Sequence, residues 1–291
     1  MSTYSIRDLE QLSGIKAHTL RIWEQRYNII HPKRTDTNIR TYDDQDLKLI
    51  LNISLLKDHG FKISEISKLP LDEMTKEVIS ISDRKLNYPD QIHALTISMI
   101  DLDEERFEKI ISTNFLRFGF ENTMLNIIYP FLSRIGTLWM TGSIGPAQEH
   151  FMTNLIRQKI IVAIDGQVIK HRPDVRKFML YLPEGELHEI GLLFASYIIR
   201  ARHHKVIYLG QTLPFNELVF AHEVHKPEFI FSTITSVPAN EEVQPYVDRL
   251  CRQFPDTHIL LTGYQVVGQD IQTGPNVTII NKTEDLVAFL Q

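Results

Sequence analysis

The spacing of apolar positions changes twice along this chain, and each change marks a different kind of structure. Over the first seventy residues, apolar side chains recur at three and four spacing in short stretches separated by turn residues. Ser5 is placed to cap a helix over Ile6, Leu9 and Leu12 that ends near Gly14. A second helix starts around Lys16 and carries Leu20, Ile22 and Trp23 as far as Tyr27. The segment 31–42, HPKRTDTNIRTY, is polar and basic with a β-prone end, and a third helix follows with Leu47, Ile50, Leu51 and Leu55. Helix, turn, helix, basic wing, helix is the order expected of a winged helix-turn-helix. Residues 69–90 hold two prolines and mixed charge without a sustained amphipathic face, which reads as a linker over 71–88 with at most a short helix near Met74 to Ile79.

From residue 89 to 172 only long helices are predicted, near 90–101, 104–118, 121–141 and 146–170. Phe107, Ile110 and Ile111, then Phe151, Leu155, Ile156 and Ile160, mark their apolar faces. The breaks fall at Asp101 to Asp103, at Gly119 and at Gly142 to Pro146, where Pro sits just inside the next helix. Four helices with short connections predict a four-helix bundle. From 173 to 291 the period changes again. The runs KFMLYLP, KVIYLG, EFIFSTITS, HILLTG and NVTIIN alternate with amphipathic helices near 188–203, 215–226, 240–254 and 283 to the end. Five such units predict a doubly wound parallel five-stranded α/β sheet, of the flavodoxin-like kind, with strands buried on both faces.

Composition narrows the function classes. Residues 1–70 hold eleven Lys and Arg against nine Asp and Glu, and six against two within 15–42, whereas the rest of the chain holds twenty against twenty-seven. A basic patch on an acidic chain, net −5, fits a small DNA reader joined to something else. The single cysteine, Cys251, leaves no disulfide or cysteine cluster, so a metal would be held by His or carboxylates. The N-terminus lacks a secretory apolar core, and no uninterrupted apolar run is long enough to span a membrane, which places the expectation in the cytoplasm. No HExxH, GxSxG or P-loop is present, and Glu73, Glu77, Asp101 and Asp103 have no partnered base, so an enzyme is not expected.

In open parallel sheets, ligands sit beyond the carboxyl ends of the strands. Glu186, His188 and Gly191 follow the first strand as E-x-H-x-x-G, Ser236 closes the third, and Gly263 closes the fourth. An imidazole on such a loop suits a borderline transition metal, and Glu186 is placed to hold its other nitrogen. Small residues at the other strand ends would let a bulky ligand approach the backbone.

This spacing resembles the cobalamin-binding signature of Asp/Glu-x-His-x-x-Gly, Ser-x-Leu and Gly-Gly. Trp139, followed after nine residues by Glu149-His150, is similar to the Trp-x9-Glu-His signature of cobalamin-dependent regulators of the CarH and LitR type. Thr19, Arg21, Glu24, Arg26 and Tyr27, with Arg34, Arg40 and Tyr42 in the wing, resemble the MerR family. The resemblance implies a DNA-binding transcriptional regulator whose operator binding and homo-oligomerisation, as dimer or tetramer, are controlled by a cobalamin. Adenosylcobalamin, with light cleaving its cobalt-carbon bond, is the form it suggests. DNA would be met by His18, Thr19, Arg21, Arg26, Tyr27, Arg34, Arg40 and Tyr42. His188 would be the lower ligand to cobalt, with Glu186, Ile190, Gly191, Ser236, Val237, Gly263 and Tyr264 around the cofactor's tail. Trp139, Glu149 and His150 would line its upper face.

Three departures from the pattern stand out: Tyr264 replaces a second Gly, the serine block reads Ser236-Val237-Pro238, and Met140 rather than a His follows Trp139. Two alternatives therefore stay open. One is the same regulator with cobalamin lost and another ligand or a protein sensed instead; the other is a corrinoid methyl-transfer module, against which the winged head argues. Plainer readings stand beside these. The arginines could be a solvated face, Trp23 and Trp139 helix packing, His188 an ordinary loop histidine, His203-His204 a pair at a helix C-terminus, and Cys251 a buried packing residue.

Overall fold

A computed structural model describes residues 3–84, 87–140, 144–168, 175–239 and 241–290. The chain divides into two compact units, Met1–Leu155 and Ile156–Gln291, the division falling inside one long helix.

The first unit opens with α1 (Ile6–Ser13), where Ser5 and Asp8 cap each other's backbone, and ends it at Gly14 with φ +73°. α2 (Ala17–Tyr27) has no cap from its own N-cap side chain; the Glu10 carboxylate of α1 accepts from Ala17 N at 3.1 Å instead, which fixes the turn between the two helices. The wing is a two-stranded antiparallel ribbon, β1 (Lys33–Arg34) and β2 (Arg40–Thr41), closed by a loop with Asn38 at φ +63°. Tyr42 and Tyr4 exchange backbone hydrogen bonds of 2.8 and 3.0 Å and tie the wing to the start of the chain. α3 (Asp44–Asp58) begins with an Asp43/Asp46 capping box, and every residue from Ile50 to Leu56 is buried.

The segment 71–88, read from sequence as a linker, is corrected by the structure. It holds α5 (Leu71–Arg84), which follows the single turn α4 (Ile63–Ile66), and Met74 and Val78 are 3% and 1% exposed. One apolar residue per turn, at 74 and 78, is enough to seat this helix on α3. The narrowness of that stripe is why the pattern looked irregular.

The expected bundle is present as α6 (Tyr88–Asp101), α7 (Glu104–Phe118), the turn α8 (Phe120–Thr123), α9 (Tyr129–Met140) and α10 (Pro146–Asp165). A π-helical turn over Met124–Ile128 joins α8 to α9, a distortion the apolar spacing did not announce. Asn87 caps α6, whose residues 90–100 are all buried, so it forms the centre of this unit rather than one amphipathic face. Pro146 opens α10 as expected. Gly142, the Met140 side chain and the bundle's predicted end near 170–172 lie outside the described residues.

The second unit is a five-stranded parallel sheet of β3 (Lys177–Pro183), β4 (Lys205–Leu213), β5 (Phe229–Thr233), β6 (His258–Thr262) and β7 (Val277–Ile279), in the order β4-β3-β5-β6-β7. Its helices are α11 (Ile190–Ala201), α12 (Phe215–His225), α13 (Val243–Gln253) and α14 (Thr283–Phe289). Met179, Tyr181, Ile230, Ile259 and Leu261 pack on one face of the sheet against Leu218, Val247, Leu250 and Phe254, and α11 packs on β3 and β5. The expectation that all strands are buried on both faces fails for β4, which is at most half-buried along its length because it is the edge of the sheet. β3 lies second in the sheet, with the chain leaving it to one side into the edge strand β4 and returning on the other into β5. The carboxyl ends of β3 and β5 therefore border the switch point where doubly wound sheets hold ligands. Among the described residues no helix is long and apolar enough to cross a membrane.

Candidate functional site

Two separate surfaces carry the predicted chemistry. In the first unit, α2 turns Leu20 and Trp23 inward, 1% and 5% exposed, and presents His18, Arg21 and Arg26 to solvent. Thr19 and Tyr27 are half-buried; Thr19 Oγ1 lies 3.4 Å from His18 Nε2, and the Arg26 guanidinium lies 5.5 Å from the Tyr27 ring centre. On the wing, Arg34 is exposed and donates to Asn38 Oδ1 at 2.7 Å, across the tip of the loop.

Two of the expected DNA contacts are reassigned. Tyr42 is 2% exposed, and burial raises its pKa above the ordinary tyrosine value, so it anchors the wing in the core instead of facing DNA. Arg40 Nε is bound to Glu24 Oε2 at 2.9 Å, a half-buried ion pair that pins the wing to α2. Sequence spacing placed both residues in the wing correctly. It could not show that they turn inward, because the contacts that hold them there, Arg40 with Glu24 of α2 and Tyr42 with Tyr4, are tertiary.

In the second unit, the loop after β3 holds Glu186 and His188. Glu186 is 1% exposed, yet its carboxylate accepts four hydrogen bonds. They come from His188 Nδ1 at 2.6 Å and His188 N at 2.9 Å, and from Thr235 N at 2.8 Å and Ser236 N at 2.6 Å. Burial alone would push its pKa up; the hydrogen bonds from the His188 ring, then from Ser236, His188 and Thr235 backbone, overcome this and bring it down to about 2. A deprotonated carboxylate only accepts, so His188 Nδ1 is the donor in this hydrogen bond and Nε2 is the ring nitrogen that Glu186 leaves to other partners. The His188 side chain is 63% exposed. Ser236 lies in the loop past β5, which ends at Thr233, and its Oγ is 3.5 Å from His188 Nδ1. It therefore contributes chiefly through its backbone N–H.

Glu189, beside His188 in the chain, is buried and bonded to Arg157 Nε at 2.7 Å and to Tyr208 OH at 2.9 Å. Sequence reading missed this second buried carboxylate, although the run Glu186-Leu187-His188-Glu189 was a signal available to it. Ile190 and Gly191 begin α11, and a Cβ at Gly191 would meet the Thr233 side chain at 3.7 Å, ordinary contact. Thr233 Oγ1 is buried without a hydrogen-bond partner.

Gly263 requires a different account from the sequence expectation. Its φ is +106°, and a Cβ would fall 2.6 Å from the Ile234 carbonyl carbon. The space is filled by the chain's own backbone and is not an opening for a ligand. Val237 and Tyr264 are 54% and 73% exposed, as is Leu187 at 65%, so apolar surface accompanies the imidazole on the loops at this edge.

An imidazole oriented by a buried carboxylate, with exposed apolar side chains on the loops of the same edge, fits what a cobalamin needs of a protein: a nitrogen donor for its cobalt and apolar surface for its ring. The donor set is not one for a metal ion alone: among the described residues no group of three His, Cys, Asp or Glu side chains could hold one. In the first unit, Trp139 on α9 is 47% exposed. Glu149 and His150 lie in the first turn of α10, His150 exposed and its Nδ1 3.6 Å from Glu149 Oε2.

Two family models match the chain, one over the head and one over the helical bundle. Residues 4–70 match the family described as MerR HTH family regulatory protein, and residues 91–163, the helical bundle, match the family described as B12 binding domain. The chain is similar to the HTH-type transcriptional repressor CarH of Myxococcus xanthus, 28% identical over 87% of this chain and 86% of the relative. It is also similar to the repressor CarA of the same organism, 24% identical over 87% and 85% of the two chains. Among solved structures, the monomethylamine corrinoid protein of Methanosarcina barkeri superposes with a TM-score of 0.52, covering 66% of this chain and 92% of that one at 12% identity. That likeness concerns the fold.

Proposed function

We propose that this chain, a transcriptional regulator of the MerR family that carries a cobalamin-binding domain, binds operator DNA under the control of adenosylcobalamin held through His188. The observation that carries the reading is the Glu186–His188 pair of 2.6 Å at the switch point, in a chain whose first helices form a DNA-binding head. As in the repressors it resembles, regulation rather than catalysis is its activity.

The residues divide the work as follows. Arg21, Arg26 and Arg34 neutralise phosphates and hold α2 in register on the duplex. Arg40 and Tyr42 act one step back, keeping the wing at a fixed angle to α2. His188 presents Nε2 to the cobalt, and Glu186 fixes the ring's orientation and increases its basicity. Leu187, Val237 and Tyr264 offer apolar contact to the corrin. When bound, a cobalamin would supply a cobalt centre and, in its adenosyl form, a cobalt-carbon bond that light can cleave. The protein responds only so far as its residues bind the two cofactor states with different affinity. We place this activity in the cytoplasm and in a homo-oligomer, dimer or tetramer, able to engage a two-fold symmetric operator.

The test is retention of a randomised duplex pool by the full chain, with and without adenosylcobalamin, in the dark and after illumination. The expected result is a cofactor-dependent change in DNA bound, reversed by light and absent in His188→Ala. DNA retention that ignores the cofactor in every condition would contradict the reading.

A further inference from the structure

α2 bears two exposed residues that the arginine pattern passes over. At about 100° per residue, Leu20, Trp23 and Tyr27 fall on the side of α2 that packs into the head. His18, Ile22 and Gln25 fall together on the opposite side, within about 60° of arc. Arg21 and Arg26 flank this stripe, one on each side. Ile22 is 50% exposed, and His18 and Gln25 are exposed as well. Glu24, the one carboxylate of the helix, is turned toward the wing by its ion pair with Arg40, so it does not oppose a nucleic acid on the stripe.

We propose that Ile22 and Gln25 are the specificity-determining residues of the head. This rests on the reading that α2 enters the major groove. A central strip of one apolar and one amide side chain between two arginines is what a base-reading helix needs. The guanidiniums reach phosphates on either side, and the strip between them meets base edges. An amide side chain pairs with adenine N6 and N7, and a branched apolar side chain packs on the thymine methyl. The half-site is therefore one with an adenine under Gln25 and a thymine under Ile22. Ile22 leaves half of its surface uncovered by the head, and on a cationic helix the duplex is the partner that would cover it.

The test is repeated selection from a randomised duplex pool by the full chain and by its Ile22→Ala and Gln25→Ala variants, followed by affinities for the selected and unselected sequences. Both residues are exposed, so the variants keep the fold. Wild-type protein is expected to enrich a half-site containing those A·T pairs. Gln25→Ala should relax one adenine position and Ile22→Ala one thymine position, each by roughly tenfold in discrimination. Affinity for unselected DNA and its salt dependence should not change. Variants that enrich the wild-type sequence unaltered, or that lose affinity equally for all sequences, overturn the proposal. Failure of the wild-type chain to retain any duplex is a different result, and it overturns the DNA-binding reading beneath it.

Discussion

Glu186 shows how one buried charge can set the chemistry of a neighbour. A carboxylate 1% exposed is tolerated because four donors converge on it, two from the His188 loop and two from the turn after β5. Its pKa in the folded chain, about 2, lies below the ordinary glutamate value of 4.5. The sign of the pH effect follows. The unfolded chain binds the proton more readily, so this contribution to stability is fully present above about pH 4.5 and is lost as pH falls toward 2. Amide exchange at Thr235 and Ser236 should therefore accelerate over that window and be flat from pH 5 to 7 once corrected for intrinsic rates. In Glu186→Gln, which keeps the shape and removes the charge, the acid transition should vanish and cobalamin affinity should fall by about 10 to 100-fold. An unchanged affinity would remove Glu186 from the account.

The E-x-H-x-x-G spacing made this pair visible in the sequence because both partners lie within one loop. Gly263 was visible too, but for a reason that spacing misassigned. What crowds it is the Ile234 backbone, brought there by pairing of β5 with β6, and no count along one chain reports a tertiary approach of that kind. Tyr42 and Arg40 were misjudged for the same reason.

Among the helices, α3 joins what the sequence separated. It is buried on every side over Ile50–Leu56, packs on α1, and also on α5 and α6. Lys48 near its start binds Asp101 at the end of α6 at 2.7 Å, and His59 past its end binds Asp90 in the first turn of α6 at 2.8 Å. The two helices therefore run antiparallel. Asp90 accepts the contact from His59 in the first turn of α6, where the Asn87 side chain also caps the helix. The half-exposed Lys48 pair is worth well under about 1 kcal/mol, whereas each buried Leu or Ile contributes about 1.5–3 kcal/mol. Apolar packing thus holds head and bundle together, and these two polar contacts fix their alignment.

A winged head on a linker, the expectation from composition, would open independently of the bundle. The structure predicts the opposite: amides of α3 and α6 should exchange at one common level of protection. The double variant Asp90→Asn, Asp101→Asn should lower both together. Protection lost in α3 alone would show that the head is a separate folding unit. The periodicity did give the helices and strands, most to within a few residues. What it hid was α5, whose stripe is narrow, and the sharing of α3 between two layers, since a helix buried all round has no face to read.

Over the chain as a whole, a basic head, a helical bundle and a doubly wound sheet follow one another in the order the sequence implied. Two relatives similar over most of its length are named as transcriptional repressors. The claim that connects the parts is that the imidazole oriented by Glu186 holds a cobalamin, and the most direct measurement is an absorbance titration of the full chain with adenosylcobalamin in the dark, alongside His188→Ala. The account predicts a corrin spectral change that saturates with the wild-type chain and is lost in the variant. No saturable change, or the same change and affinity in His188→Ala, would contradict it.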